Sequence, residues 1–323
     1  MEWDILIRIF PQVLVDGVTL GFVYALIALG YTMVYGVLEM INFAHSEIFV
    51  MGAFVGAEVL LIMQTSGALG SIPALPLLVI VLAAGMAAAG GLAVAVERVA
   101  YRPLRGAPRL VPLISAIGVS FFLQDAIRLT ESLWRNAFFL TYPTIAFFDE
   151  RIRLVATVDI SVKSLTLIAV SILMLVGLSL FVGRTKLGKA IRAVAEDQAT
   201  AGLMGINVNG MISLTFLIGG MMGGAAGALF GVQYGTINPY TGFIPGIKAF
   251  TAAVLGGIGN IPGAMLGGVV LGLLESFAAS YMSLLSGGAF GAEYKDIFAF
   301  SMLILILIFR PRGLLGEVVR EKL

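Results

Sequence analysis

The chain has 323 residues, of which 59% are hydrophobic and only 12% are charged, and its mean hydropathy is +1.01. Soluble domains contain about 25% charged residues, so this composition excludes an ordinary soluble enzyme and predicts one all-α polytopic membrane domain over 1–323. The net charge of +1 gives no reason to expect a nucleic-acid partner, and the absence of cysteine excludes disulfides, thiolate catalysis and cysteine-ligated metal.

Apolar segments follow one another along the whole chain. They lie at 11–36, 41–63, 73–97, 111–128, 163–183, 211–233, 243–259, 262–285 and 297–310. A helix that crosses the hydrocarbon core needs about 20 apolar residues. Segment 243–259 contains Pro245, Lys248 and several glycines, which favours a broken or re-entrant helix. We therefore expect eight to ten transmembrane helices.

Three short connections are rich in basic residues and predict the orientation. They contain Arg98, Arg102, Arg105 and Arg109; then Arg184, Lys186, Lys189 and Arg192; and finally Arg310, Arg312, Arg320 and Lys322. Lys and Arg are concentrated in cytoplasmic loops, so all three connections are expected in the cytoplasm. Counting spans from these points places the N-terminus and the loop 129–162 on the outer side.

The loop 129–162 is the longest connection between apolar segments. Its part 151–160, RIRLVATVDI, is rich in β-branched residues with partial alternation, which predicts a short strand or hairpin. Two interpretations stay open: an ordinary surface loop, or a landing surface for an external partner.

Ionisable side chains inside the predicted spans are costly at that depth and point to function by default. Glu275 lies near the middle of 262–285, Glu47 and Glu58 lie in the second span, and Lys248 lies in the broken segment. Each of them could instead lie near an interface or pair structurally with a neighbour.

Polarity at membrane depth selects four candidates for a translocation path: Asn42, His45, Gln124 and Glu275. His45 is the only histidine of the chain. A structural role, such as capping a helix or satisfying a buried neighbour, is the alternative for each of the four.

Glycines recur at a spacing of four in several predicted helices, a pattern that lets helix backbones approach closely. The pairs are Gly17/Gly21, Gly52/Gly56, Gly220/Gly224, Gly227/Gly231, Gly263/Gly267 and Gly268/Gly272. They predict close crossings within the bundle or at a subunit interface. The run 255–268, LGGIGNIPGAMLGG, is either unwound backbone beside a cavity or a turn between two helices.

The segment 183–210, called here the polar segment, interrupts the apolar pattern. Its charged and apolar residues repeat at helical spacing from Lys189 to Met204, and Gly205 is a plausible end of the helix. Ile191, Val194 and Leu203 fall on one apolar face. Because the apolar residues are small and the polar face carries both signs, a protein groove is a better partner for this helix than anionic lipid.

The chain lacks the sequence motifs of several enzyme classes. H-E-x-x-H and G-x-S-x-G are absent, so intramembrane hydrolysis has little support. The phosphate-binding motif G-x-x-x-x-G-K-[ST] is also absent, so this chain has no sign of an ATP-hydrolysing site of that kind. We expect a transport protein without metal or cofactor, not an enzyme.

Long stretches of the sequence resemble the H-type membrane permease of bacterial branched-chain amino acid ABC importers. They are GVTLGFVYALIALGYTMVYGVLEMINFAHSEIFVMGAF (17–54), VERVAYRPLR (96–105), LISAIGVSFFLQ (113–124), AVAEDQATAGLMGIN (193–207) and NPYTGFIPGIKAFTAAVLGGIGNIPGAMLGG (238–268). The resemblance is poorest in the loop 129–162 and at the extreme termini.

This resemblance implies an ABC importer permease bundle in the bacterial inner membrane, surrounded by lipid. The implied partners are a second related permease subunit, two cytoplasmic ATPase subunits and a periplasmic substrate-binding protein. It also implies that the polar segment is the coupling loop that docks into an ATPase, with Arg192, Glu196, Asp197 and Gly205 at the contact. The implied substrates are branched-chain or other neutral amino acids.

Two other functions remain open. Permeases for urea and short-chain amides resemble this family closely. A secondary transporter or channel, energised by ions through Glu275, Glu47 and His45, is a less favoured alternative from a different class. The polar segment distinguishes the two classes, because only an ATP-driven importer needs a docking element for an ATPase.

Overall fold

A computed structural model describes residues 2–108, 110–155 and 158–316. Three basic residues of the predicted cytoplasmic connections, Arg109, Arg320 and Lys322, lie outside the described residues. The helices of the described part are α1 Glu2–Leu38, α2 His45–Thr65, α3 Ala74–Val96, α4 Leu110–Arg135, α5 Ala146–Asp149, α6 Val162–Arg184, α7 Lys186–Glu196, α8 Gln198–Leu203, α9 Val208–Tyr234, α10 Phe243–Gly256, α11 Ile261–Leu285 and α12 Lys295–Phe309. The strands are β1 Leu140–Thr141, β2 Arg151–Val155, β3 Val158–Ser161 and β4 Thr236–Ile237.

Each of the nine predicted apolar segments coincides with a helix. Within the described residues, seven helices are long and apolar enough to cross a membrane. Two more, α10 with 14 residues and α12 with 15, are shorter. At 1.5 Å per residue a helix of that length covers only about 21–23 Å of a core that is about 30 Å thick. The prediction of an all-α polytopic membrane protein is confirmed. The broken or re-entrant helix predicted at 243–259 is one unbroken but short helix, α10.

The helices divide into an inner group and an outer group. In α9, 78% of the most apolar 18-residue window is buried inside the protein, whereas in α6 the corresponding share is 17% and in α4 it is 22%. α1 packs along α11, and α9 packs against both α2 and α3. The outer faces of α4, α6 and α12 carry exposed large apolar side chains, as lipid-facing surfaces do.

Glycines let the inner helices touch backbone to backbone. A Cβ atom on Gly21 of α1 would lie 2.6 Å from the Cα atom of Val269 on α11, which is closer than real side chains approach. A Cβ atom on Gly85 of α3 would lie 3.1 Å from the carbonyl oxygen of Gly52 and 3.2 Å from that of Gly224. The predicted close crossings are therefore confirmed, and these lie inside the bundle.

The run 255–268 is a turn between two packed helices, which is the second of the two interpretations given above. Gly257 and Gly259 have φ angles of +105° and +89°, a region that favours glycine. The side chain of Asn260 caps α11 by accepting a hydrogen bond from the Gly263 N–H at 2.8 Å. Its amide also donates to the Leu315 carbonyl at 2.9 Å, which fixes the chain after α12 to this turn.

The predicted loop 129–162 is shorter than expected and contains regular secondary structure. Its first residues continue α4 to Arg135, because the apolar face of that helix extends past residue 128. The predicted hairpin is confirmed: β2 pairs antiparallel with β3, with Ile152 opposite Ile160. β1 pairs with β4, so the loop is also joined to the chain after α9. Tyr142 closes the contact by donating its buried hydroxyl to the Ala53 carbonyl.

Candidate coupling surface and translocation path

The polar segment folds as two short helices fixed to the bundle by their apolar side. Thr185 begins α7 by accepting a hydrogen bond from the Gly188 N–H at 2.9 Å. Gly188, Ile191 and Val194 are buried at a spacing of three residues, and α7 packs against α1, α6 and α9. The amphipathic pattern therefore places α7 on three membrane helices at once.

The single helix predicted from Lys189 to Met204 is wrong, because it breaks at Asp197. This residue has extended backbone angles, φ −159° and ψ 110°. Its carboxylate accepts hydrogen bonds from the N–H groups of Ala199 at 2.8 Å and Thr200 at 3.0 Å. Aspartate favours such capping over the helix interior, so Asp197 ends α7 and starts α8.

Gly205 ends α8 in the way its position predicted. Its φ is +82°, where a residue with a Cβ is strained. The following Ile206 N–H donates to the Ala201 carbonyl at 3.0 Å, which closes the last turn. No atom of the described residues lies within 4 Å of a Cβ built on Gly205, so the requirement at this position is conformational.

The exposed side of the two helices is mixed in character. Arg192 and Glu196 are exposed on α7, and Arg192 donates to the Gly183 carbonyl at 3.4 Å. The prediction that Leu203 shares the buried face is wrong: it is 88% exposed, and the neighbouring Met204 is 79% exposed. The break at Asp197 changes the direction of α8, so the helical spacing drawn through residue 203 no longer applies.

Sequence reasoning missed that Leu203 and Met204 form an exposed apolar tip. Its signal was present, since two large apolar residues directly precede the glycine that ends the helix. The polar segment also reaches α1, because the Gln198 side chain donates to the Val37 carbonyl at 3.4 Å. Beside that contact lies a cavity of about 450 Å³ bordered by Tyr35, Tyr101 and Gln198.

The same end of the bundle is tied together by a buried carboxylate. Glu97 lies in a π-helical turn, Glu97–Tyr101, that continues α3. It accepts hydrogen bonds from Arg102 and Arg105 and, at 2.7 Å, from Ser213 of α9. Burial lowers the pKa of the Arg105 guanidinium, and the charge of Glu97 opposes that shift. Arginine stays charged in proteins, so Arg105 remains a permanent partner of this carboxylate.

His45 lies in a closely packed part of the bundle. It is buried at the start of α2, and its ring meets that of Tyr31 edge-on at 4.6 Å between centroids. A Cβ atom on Gly30 would overlap the imidazole, and one on Gly223 would lie 3.1 Å from it. Among the described residues, its Nε2 atom has no hydrogen-bond partner.

Asn42 and Gln124 are both buried and both hydrogen-bonded. Asn42 accepts a hydrogen bond from the Tyr101 hydroxyl at 2.7 Å. Gln124 of α4 donates to Glu47 of α2 at 2.9 Å, and Ser120 donates to the same oxygen at 3.2 Å. These hydrogen bonds place Gln124 beside Glu47 at the start of α2, two residues after His45 in the chain. Within the described residues, no hydrogen bond joins Gln124 to His45 itself.

Glu275 belongs to a separate, charge-balanced cluster. It lies 2.8 Å from the Lys248 ammonium of α10 and 3.0 Å from that of Lys295 on α12. The Tyr24 hydroxyl of α1 donates to its other oxygen at 2.8 Å, and Asp296 lies 2.7 Å from Lys248. The cluster connects four helices, and its Lys295 and Asp296 were missed because they lie just before the last predicted apolar segment, 297–310.

The described residues contain no group of three histidine, aspartate or glutamate side chains that could hold a metal ion. What the bundle offers is buried polar contacts between helices and an exposed two-helix element at one end.

Comparison with known proteins places the chain. The family described as "Branched-chain amino acid transport system / permease component" matches residues 13–307. BraD of Pseudomonas aeruginosa, a high-affinity branched-chain amino acid transport system permease protein, is 47% identical over 97% of this chain and 98% of its own length. LivH of Escherichia coli, named in the same way, is 44% identical over 97% of both chains.

A more distant relative shares the same assignment. A probable branched-chain amino acid transport permease protein of Methanocaldococcus jannaschii is 28% identical over 90% of this chain and 88% of its own. No solved structure matches the chain. The chain is a multi-pass membrane protein that belongs to the permease family of branched-chain amino acid transport systems.

Proposed function

We propose that this chain is the membrane-spanning subunit of an ATP-driven importer for branched-chain amino acids, located in the bacterial inner membrane. The observation that carries the proposal is the polar segment, whose apolar side is fixed to α1, α6 and α9 while Leu203 and Met204 are exposed at its tip. The substrate class follows from the printed names of relatives that cover the full length of the chain.

The remaining parts of the importer lie on other chains. Residues 1–323 form a single permease domain, with the polar segment in the cytoplasm and the loop that follows α4 on the outer side. A second related permease completes the path, and two cytoplasmic ATPases supply the energy that this chain cannot generate for want of a phosphate-binding motif. A binding protein delivers the substrate at the outer face.

The polar segment transmits movement to the bundle through α7 and α8. An ATPase holds the exposed side, which contains Arg192, Glu196 and the apolar tip, while Asp197 and Gly205 fix the shape of that side. When two ATPases close on ATP, the segment is displaced together with α1, which it contacts at Val37. A partner can switch a protein between two conformations only if it binds them with different affinity. The ATPase supplies that difference between the two conformations of the permease.

The path itself is controlled by the polar residues of the bundle. Asn42, His45 and Gln124 lie at the start of α2 and on α4, and Glu275 lies at the junction of α1, α10, α11 and α12. Displacement of α1 alters both places, because α1 carries Gly30 against His45 and Tyr24 against Glu275. These four side chains open and close the route for a small zwitterion.

The test is transport of L-leucine into proteoliposomes that contain this chain with its ATPases, second permease and binding protein. Uptake should require ATP, and Gly205→Val should abolish it because valine is strained at positive φ. Gly67→Val is the matched control: Gly67 also has a positive φ, +74°, is exposed and has no atom of the described residues near its Cβ position, but lies at the far end of α2.

Uptake that persists without ATPases and collapses with the proton gradient would overturn the proposal in favour of an ion-coupled transporter. Uptake of urea or acetamide in place of leucine would overturn the assigned substrate class.

A further inference from the structure

A cavity of about 380 Å³ lies between α2 and α4, in the halves of these helices that lead towards the loop after α4. Its walls are apolar and are formed by Met51, Phe54, Val55, Leu123 and Ile127. Pockets for small ligands are typically of this size and have mainly apolar walls with a few placed polar groups. This cavity has its polar groups at one end only.

That end carries two carboxylates and one guanidinium. Glu58 of α2 and Glu131 of α4 line the cavity, and Arg135, one turn beyond Glu131, donates to Glu58 through Nε and, at 2.6 Å, through Nη2. Glu131 is only 7% exposed, and its Oε2 atom has no hydrogen-bond partner among the described residues. A buried oxygen in this state is costly, which points to a missing donor.

The chemistry of that donor follows from the charges. Arg135 balances the charge of Glu58, so Glu131 leaves the site with one net negative charge. The Oε2 atom of Glu131, unpaired among the described residues, therefore suits a cationic donor. A primary ammonium has three donors and fits a carboxylate. Within the described part of the chain, Arg135 binds Glu58 through Nε and Nη2, which leaves its Nη1 group to donate to a carboxylate of the same ligand.

A ligand with an ammonium, a carboxylate and a compact apolar side chain matches the charged groups at this end and the apolar walls. We infer that the cavity between α2 and α4 is a binding site for a zwitterionic branched-chain amino acid. Glu131 binds its ammonium, Arg135 binds its carboxylate, and the apolar walls bury its side chain. The inference rests on the proposed function and adds to it the first substrate site on the outer side of the path.

The site can be tested by fluorescence, because Trp134 lines the cavity and the chain has only two tryptophans. In the Trp3→Phe variant the emission reports on Trp134 alone. The purified full-length permease in phosphatidylcholine nanodiscs should show a saturable change on titration with L-leucine. The change should be weaker with 4-methylpentanoate, which lacks the ammonium, and with 3-methylbutylamine, which lacks the carboxylate.

Three substitutions in that background separate the site from the rest of α4. Glu131→Gln should weaken leucine binding about tenfold or more, since it removes one charge-assisted contact. Ala126→Leu should block binding by filling the cavity from a neighbouring wall position without changing charge. Asp125→Asn is the matched control, because its carboxylate is on the same helix but is exposed and is paired with Arg128; it should bind leucine like the parent protein.

Three results of the binding experiment would overturn the assignment: no saturable response to leucine, an unchanged affinity in Glu131→Gln, or a response to phosphatidylethanolamine but not to leucine. The last would assign the cavity to a lipid. Leucine uptake that needs this chain but is normal in Glu131→Gln would reject the cavity and leave the transport function intact. Absence of leucine uptake by the complete parent complex would instead reject the proposed function.

Discussion

Glu275 and Glu47 are both carboxylates inside the helix bundle, 1% and 0% exposed, but they differ in the charge that surrounds them. Glu275 meets two lysine ammonium groups and a tyrosine hydroxyl. Glu47 meets only neutral donors among the described residues: Ser46, Ser120 and Gln124. One residue type, equally buried, can therefore hold four helices through charge or two helices through neutral hydrogen bonds.

The difference separates two ways of joining helices in this protein. Removal of one member of a buried ion pair leaves a charge without compensation, which costs several kcal/mol. Replacing a carboxylate that only neutral donors surround by an uncharged amide costs far less stability, because the amide oxygen can accept the same hydrogen bonds. The three predictions that follow test this contrast, from the largest expected effect to the smallest.

Glu275→Gln should reduce the free energy of unfolding by about 3 kcal/mol or more, because Lys248 and Lys295 both lose their shared carboxylate. Denaturant titration of the purified permease in mild detergent measures this. Glu150→Gln, at an exposed loop position, is the control and should stay within about 0.5 kcal/mol of the parent. A change in Glu275→Gln as small as in the control would mean that the cluster carries no net stabilisation.

Lys248→Met should cost about 2 kcal/mol, less than the loss of Glu275, because Lys295 still neutralises that carboxylate. Methionine keeps most of the volume of the buried lysine stem. If the charges act as one cluster, the double variant Lys248→Met/Glu275→Gln should lose less stability than the two single losses added together. Strict additivity would contradict a coupled cluster.

Glu47→Gln should change the free energy of unfolding by about 1 kcal/mol at most, since the amide oxygen accepts from Ser120 and Gln124 as the carboxylate does. The same titration gives the value. A loss equal to that in Glu275→Gln would show that Glu47 meets a positive charge in the folded protein. Glu47 and Glu275 would then not differ in the charge that surrounds them.

Much of the bundle followed from local sequence. Each predicted apolar segment is a helix, because the length of an apolar run and the cost of unpaired backbone in lipid together determine that outcome. The glycine spacing predicted the crossings, since Gly52 and Gly56 lie on one helix face wherever that helix packs. Residues 151–160 predicted their hairpin through local alternation.

The contacts of the candidate site did not follow from local sequence. Glu275 meets partners from three other helices, and no spacing along the chain indicates which lysine it reaches. The position of Leu203 was mispredicted because one extended residue, Asp197, redirects the helix. The cavity beside Glu131 depends on how loosely α4 packs on α2, and single-residue patterns carry no signal for that gap.

The proposed function depends most on binding of an ATPase to the apolar tip of the polar segment. The most direct test is ATP-driven L-leucine uptake by the reconstituted complex carrying Leu203→Asp/Met204→Asp. The swapped pair Leu203→Met/Met204→Leu, which keeps the tip apolar, is the control. The aspartate pair should lose uptake about tenfold or more and should no longer co-purify with the ATPases, while its unfolding free energy stays within about 0.5 kcal/mol of the parent value. Normal uptake and normal ATPase association in the aspartate pair would contradict the proposed binding.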